Sequence, residues 1–118
     1  MLHRTDQFQE ALKCFSKVLE KISDDKTVYV ARGSVYQDMG NHLLAIKDVD
    51  VAINIDPDLS EAYFKRGFSK YFIKRYHDAI EDFKISKEKE EILIEKDPNY
   101  EANPGIFDGL GCCYHALK

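Results

Sequence analysis

The feature that most constrains this chain is internal: one pattern returns every 34 residues. Ala11, Ala45 and Ala79 stand 34 apart, each followed by an aliphatic residue (Leu12, Ile46, Ile80) and, four positions on from the alanine, by Phe15, Val49 or Phe83. Phe8, His42 and Tyr76 precede the three alanines by three positions. Tyr29 and Tyr63 are also 34 apart, as are Gly33 and Gly67. A period of this length means that one supersecondary unit is copied along the chain. Each copy is too small to bury its apolar face alone, so stacking must supply the core.

Inside each period the apolar spacing is helical. Tyr29, Gly33 and Tyr36 fall three or four apart, as do Ala45, Val49 and Ala52 with Ile46 and Ile53, so each run shares one helix face. Gly40-Asn41 separates the two runs, and both residues tolerate the left-handed conformation that ends a helix. Asp56-Pro57 stops the second run, because proline lacks the amide donor and restricts the residue before it. Each period therefore reads as a helical hairpin.

A hairpin of this length with these residues resembles the tetratricopeptide repeat. Tyr29, Gly33, Tyr36, Gly40, Ala45, Val49, Ala52 and Pro57 carry the likeness in one repeat; Tyr63, Gly67, Tyr76, Ala79 and Phe83 carry it in the next. The resemblance implies an all-α fold, an α-solenoid of antiparallel hairpins forming a segment of a right-handed superhelix. It divides residues 1–118 into a second helix of a partial repeat (6–25), a complete repeat (26–59), a complete repeat with a lengthened second helix (60–100) and a first helix of a partial repeat (104–118). Such a division reads as a slice of a longer array. Gly33 with Ala45, and Gly67 with Ala79, are expected to let the paired helices approach closely.

The second complete repeat is longer than its neighbour. Gly67 to Gly111 spans 44 positions instead of 34, and Pro57 to Pro98 spans 41. The added stretch, Ser86-Lys87-Glu88-Lys89-Glu90-Glu91, consists of helix formers with Lys84/Glu88 and Lys87/Glu91 four apart. Seven extra residues nearly preserve helical phase and add ~10 Å of helix. The expectation is one uninterrupted helix over 77–96, with Lys87 to Glu91 in solvent. It reads either as a docking spur or as a solvated lengthening. Ile92, Leu93 and Ile94 at its far end require cover from the last helix or from a partner.

Composition narrows the function. At 44 % hydrophobic and 32 % charged residues, the 118-residue chain is globular rather than disordered. No apolar run reaches the ~18 residues of a membrane span, and Met1 to Glu10 lacks the apolar core of a signal peptide. A net charge of −4 argues against a nucleic-acid coat. Phe64 to Tyr76 does interleave five aromatics with five cations, but as one helix of an acidic chain. Three cysteines make no disulfide framework, which suits a reducing compartment. Cys112 and His115 could share a metal, yet no second pair has usable spacing, so no metal or cofactor is expected and Cys112 and Cys113 read as helix-packing residues. No nucleophile stands at a recognisable distance from a base, and no phosphate loop is present, so no catalysis and no small-molecule substrate are expected.

What remains is recognition of protein. The resemblance implies that the first helix of each hairpin lines a groove, which points to Phe64, Phe68, Tyr71, Phe72 and Lys65, with Val30, Ser34, Gln37 and Asp38 from the preceding repeat. Lys65, Lys70, Lys74 and Arg75 beside the aromatic stripe imply an apolar ligand with acidic residues next to it. Co-chaperones of this class grip a C-terminal carboxylate with lysine, asparagine and arginine. The matching positions here are Val30, Ala31, Ser34, Glu61, Phe64, Lys65 and Phe68, and only Lys65 is a cation, so that clamp is not assembled. Arg32 and Arg66 precede the glycines, and Asp48 and Asp82 lie 16 residues later, so an antiparallel fold-back pairs them. The half repeats lack both partners together, with Cys14 at the aspartate position and Leu110 at the arginine position. The resulting reading is a protein–protein interaction scaffold within a larger, cytoplasmic assembly, a class also common in cilia and the cytoskeleton. The alternatives are a co-chaperone or peptide receptor, or the non-catalytic arm of an enzyme.

Overall fold

A computed structural model describes residues 4–118; Met1 to His3, part of the stretch read for a leader, lie outside the described residues. The described residues form six α-helices and no strand: α1 (Arg4–Lys21), α2 (Lys26–Asp38), α3 (His42–Ile55), α4 (Ser60–Phe72), α5 (Tyr76–Lys96) and α6 (Gly105–Ala116). They gather into two compact units, Met1–Pro57 and Asp58–Lys118. No helix among the described residues is long and apolar enough to cross a membrane.

In the first unit α2 packs on α3, and α1 packs on α2. Asp25 caps α2 by accepting from the Thr27 and Val28 amides, at 3.0 and 3.3 Å. Gly40 turns the chain at φ +81°, a conformation that L side chains rarely adopt, and Asn41 caps α3. The crossing is tight at Gly33: a Cβ there would lie 3.1 Å from Val49 Cγ2 and 3.3 Å from the Ala45 carbonyl oxygen. Beside it Arg32 donates through Nε and Nη2 to both oxygens of Asp48, each at 2.7 Å, while its guanidinium lies 5.7 Å from the Tyr29 ring centroid. This fork-on-carboxylate geometry holds Asp48 buried with its charge matched. The hydrogen bond to Asp48 also raises the Arg32 pKa above its ordinary value, against the opposing effect of burial.

In the second unit α4 packs on α5, and α6 packs on both. The Arg–Asp pair returns as Arg66 donating to Asp82 at 2.9 and 2.7 Å, with Tyr63 under the guanidinium and Lys70 adding a contact at 3.0 Å. The turn differs. Lys74 occupies the position 34 residues after Gly40 and takes the same left-handed conformation, φ +68°. The run from Phe64 to Tyr76 is therefore not one helix: α4 stops at Phe72 and α5 starts at Tyr76. The glycine contact differs too. Gly67 meets the Phe83 ring, with a Cβ falling 2.9 Å from its Cε1, rather than Ala79 as the sequence suggests.

α5 is a single 21-residue helix through the inserted stretch. Its added turns are not simply in solvent, which corrects the expectation for Lys87 to Glu91. Ser86 is fully buried, its hydroxyl donating to the Ser60 carbonyl at 3.0 Å, and Glu90 is 6 % exposed. Lys89 reaches Asp58 at 2.8 Å. The reason is phase: Ala79, Phe83, Ser86 and Glu90 step by three or four, so seven added residues prolong the buried face as well as the wet one. Ile92, Leu93 and Ile94 are exposed by 46, 36 and 41 %, so α6 does not cover them.

Two stability effects follow. Asp82→Ala strands Arg66 and Lys70 in a mostly buried site and should cost about 3–5 kcal/mol in urea unfolding, whereas Asp58→Ala, at an exposed pair, should leave the midpoint nearly unchanged. Lys74→Gly relieves a left-handed side chain and should stabilise by about 0.5–1 kcal/mol, net of the entropy glycine adds to the unfolded chain.

Candidate functional site

The extra heptad of α5 builds a recess in the second unit. Glu90, two turns beyond Phe83, points back toward the segment that links α5 to α6. Its carboxylate accepts from the Tyr100 hydroxyl at 3.2 Å and from the Asn103 backbone amide at 2.7 Å. Asn103 in turn accepts from the Gly105 amide at 2.9 Å, which starts α6. Gly105 is required there: a Cβ would fall 2.8 Å from Phe64 Cζ. Residues 97–104 are thereby tied down against α4, leaving a cavity of about 310 Å³ lined by Glu61, Phe64, Lys65, Glu90, Tyr100, Glu101 and Asn103.

Its chemistry is that of recognition. Phe64 supplies an aromatic wall, Lys65 a half-buried cation, and Glu61 and Glu101 exposed carboxylates at the rim. Burial, then the neighbouring Glu90 carboxylate, pushes the Tyr100 phenol above its ordinary pKa, so it remains a neutral donor at physiological pH. Among the described residues no group of three His, Cys, Asp or Glu is placed to hold a metal ion.

The residues singled out from the sequence separate into three kinds. Phe64 and Lys65 reach the recess. Phe68 and Tyr71 do not form an open stripe with them: together with Phe64 they pack on the core of Ala79, Ile80, Phe83, Ile106 and Cys113. Phe68 stands 4.9 Å from Phe64 and 5.1 Å from Phe83 between ring centroids, edge to face. The inferred continuous groove stripe is thus half-buried against the core, because α5 and α6 both pack on α4. Phe72, 56 % exposed, lies outside the cluster. In the first unit Val30 is buried and inaccessible to a ligand, Ser34 donates its hydroxyl to the Val30 carbonyl at 3.0 Å, Gln37 is half-buried and Asp38 is exposed.

The positive field expected beside the stripe is partly paired, although Lys74 and Arg75 stay exposed. Lys70 is committed to Asp82, and Arg75 pairs with Asp78 at 2.7 Å. Cys113 packs in the core, where burial and then Cys112 raise its thiol pKa, but Cys112 is exposed and plays no packing role. Glu90, Tyr100, Glu101 and Asn103 were not legible as site residues. Only the helical step from Phe83 to Glu90 signals that Glu90 turns inward.

Residues 27–59 match the family model described as tetratricopeptide repeat. The Hsp70-Hsp90 organizing protein of Triticum aestivum is 25 % identical over 117 residues, which is 99 % of this chain and 18 % of that protein. The chain therefore spans less than a fifth of that curated relative. Among solved structures, the TPR2B domain of yeast Sti1 in complex with an Hsp70 peptide superposes with a TM-score of 0.82 at 19 % identity, over 95 % of this chain and 86 % of that one. The first TPR of Spaghetti (RPAP3), bound to the HSP90 peptide SRMEEVD, gives 0.78 at 20 % identity, over 97 and 82 %. These structures show the fold, a helical solenoid, within which residues 27–59 carry the tetratricopeptide repeat match.

Proposed function

We propose that this chain is a protein-interaction segment of a larger cytoplasmic scaffold, and that it holds a short peptide of a partner protein at the α4 recess. The observation that carries the reading is the recess itself, one aromatic wall with a ring of polar side chains, on the helix that the family uses for binding. The relatives support a role in assembly rather than catalysis. Charge specifies the ligand. Glu61 and Glu101 outnumber Lys65 at the rim, so the peptide should place a basic residue beside an apolar one, the opposite of the acidic neighbour that the basic run on α4 suggests.

A second reading, a receptor for chaperone C-terminal peptides, is favoured by the Hsp70 and Hsp90 peptides bound in two of the structural neighbours. Against it stands Glu61, a carboxylate among the positions from which that mode of binding draws its cations.

Display selection from random heptapeptides should enrich an apolar residue next to Lys or Arg, and Glu61→Lys should reverse the charge preference. Enrichment without charge preference, or one that Glu61→Lys leaves intact, would sink the proposed site. Calorimetric titration of SRMEEVD separates the two readings. The wild type should bind no tighter than about 1 mM, and Glu61→Lys should tighten binding by about tenfold, the effect of one charge-assisted hydrogen bond. Micromolar binding by the wild type that Lys65→Glu abolishes would establish the chaperone-peptide reading instead.

A further inference from the structure

Three carboxylates are buried among the described residues: Asp48, Asp82 and Glu90, exposed by 4, 2 and 6 %. Asp48 and Asp82 each receive a guanidinium fork, from Arg32 and Arg66. Glu90 receives two neutral donors instead, the Tyr100 hydroxyl on one oxygen and the Asn103 backbone amide on the other. Those hydrogen bonds orient the group but bring no positive charge, and a buried charge without a counter-charge is costly. Glu90 is not sealed from ligands, however, because it lines the recess beside α4.

The recess suits one kind of cation. A carboxylate has about four acceptor sites, so one remains on each oxygen of Glu90. Two parallel N–H donors use both sites at once, which a guanidinium provides and an ammonium does not. Phe64 and Tyr100 line the same space, and a planar guanidinium stacks on aromatic rings. A guanidinium is also the more weakly hydrated of the two, an advantage at a carboxylate as buried as this one. Glu61 and Glu101, exposed at the rim, attract either cation and discriminate little between them. Lys65 shares the lining, but among the described residues no ion pair joins it to Glu90.

We propose that Glu90 determines the specificity of the recess, and that the basic residue of the bound peptide is an arginine whose guanidinium forks onto the Glu90 carboxylate. The inference rests on the α4 recess being the peptide site, and it narrows the ligand from a basic peptide to an arginine peptide. The partner then supplies from outside the pairing that the chain makes for itself at Asp48 and Asp82.

NMR titration of the 118-residue chain with acetyl-Leu-Arg-amide and acetyl-Leu-Lys-amide tests this, the caps leaving the side chain as each probe's one charge. The arginine probe should bind about tenfold more tightly than the lysine probe. Glu90→Gln keeps an acceptor for the Asn103 amide and a polar partner for Tyr100, and should bring the two probes within about twofold of each other. Tyr100→Phe removes one hydrogen bond of the same clasp while keeping the ring and the carboxylate. It should retain the preference for arginine even if both affinities fall, which a purely structural role for Glu90 would not allow. Equal binding of the two probes by the wild type overturns the inference with no variant needed, as does a preference that survives Glu90→Gln or vanishes in Tyr100→Phe. Each of those results leaves a basic-peptide site standing. A wild type that binds neither probe, or binds them without shifting the amides of Phe64 and residues 100–103, overturns the site as well.

Discussion

Phe83 is the residue around which the second unit is built. Its ring has no solvent exposure, and two glycines on different helices make the room: a Cβ on Gly67 would come within 2.9 Å of it and one on Gly109 within 2.6 Å. Either methyl group would force the ring or a helix to move in an interior packed to crystal density. Phe64 and Phe68 then pack edge-on to the same ring, so α4, α5 and α6 share one aromatic cluster. The first unit does the same job with less volume, setting Gly33 against Val49 and the Ala45 backbone. Large and small residues trade between the two hairpins while the crossing stays close.

Close crossing creates an electrostatic demand that the Arg–Asp pairs meet. Helices held together at a glycine leave the neighbouring side chains little access to water, so Asp48 and Asp82 are nearly inaccessible and depend on a bidentate partner. Tyr29 and Tyr63 cover the guanidinium from the other side. These pairs were readable in the sequence, because antiparallel fold-back around a turn of known position fixes which residues face each other. The helices were readable for a similar reason. A repeat states the same instruction more than once, and Gly40 or Asp56-Pro57 marks where each run must stop. Lys74 was not readable in this way: the run from Phe64 to Tyr76 reads as one helix, although Lys74 stands one period after Gly40 and turns the chain with the same sign of φ.

Less legible was anything that depends on how much of a helix face its neighbours cover. Phe64, Phe68 and Tyr71 carry the spacing of an exposed stripe and of a core stripe equally well, and periodicity does not distinguish them. Gly109 decides the matter. It lets α6 come close to the Phe83 ring of α5, on which Phe64 and Phe68 also pack, and it falls two residues before the glycine that the repeat pattern marks. The cations failed as a guide for a related reason: Lys70 looked free until the fold placed Asp82 three ångströms from it. Charge counted along one helix misses partners that arrive from another.

The same blind spot explains the recess. Counted as sequence, the seven added residues are a charged, helix-forming insertion that ordinary solvation accounts for. Folded, their phase carries one carboxylate of the stretch, Glu90, onto the buried side, where an unpaired charge would be costly. The chain meets that cost locally, by bending residues 97–104 over it so that Tyr100 and the Asn103 amide can donate. Bending the segment walls off the space beside Phe64, and it brings Glu101 to the same rim as Glu61. A lengthened helix therefore does not need to protrude to matter: it sets the walls and the charge of the surface beside the neighbouring helix.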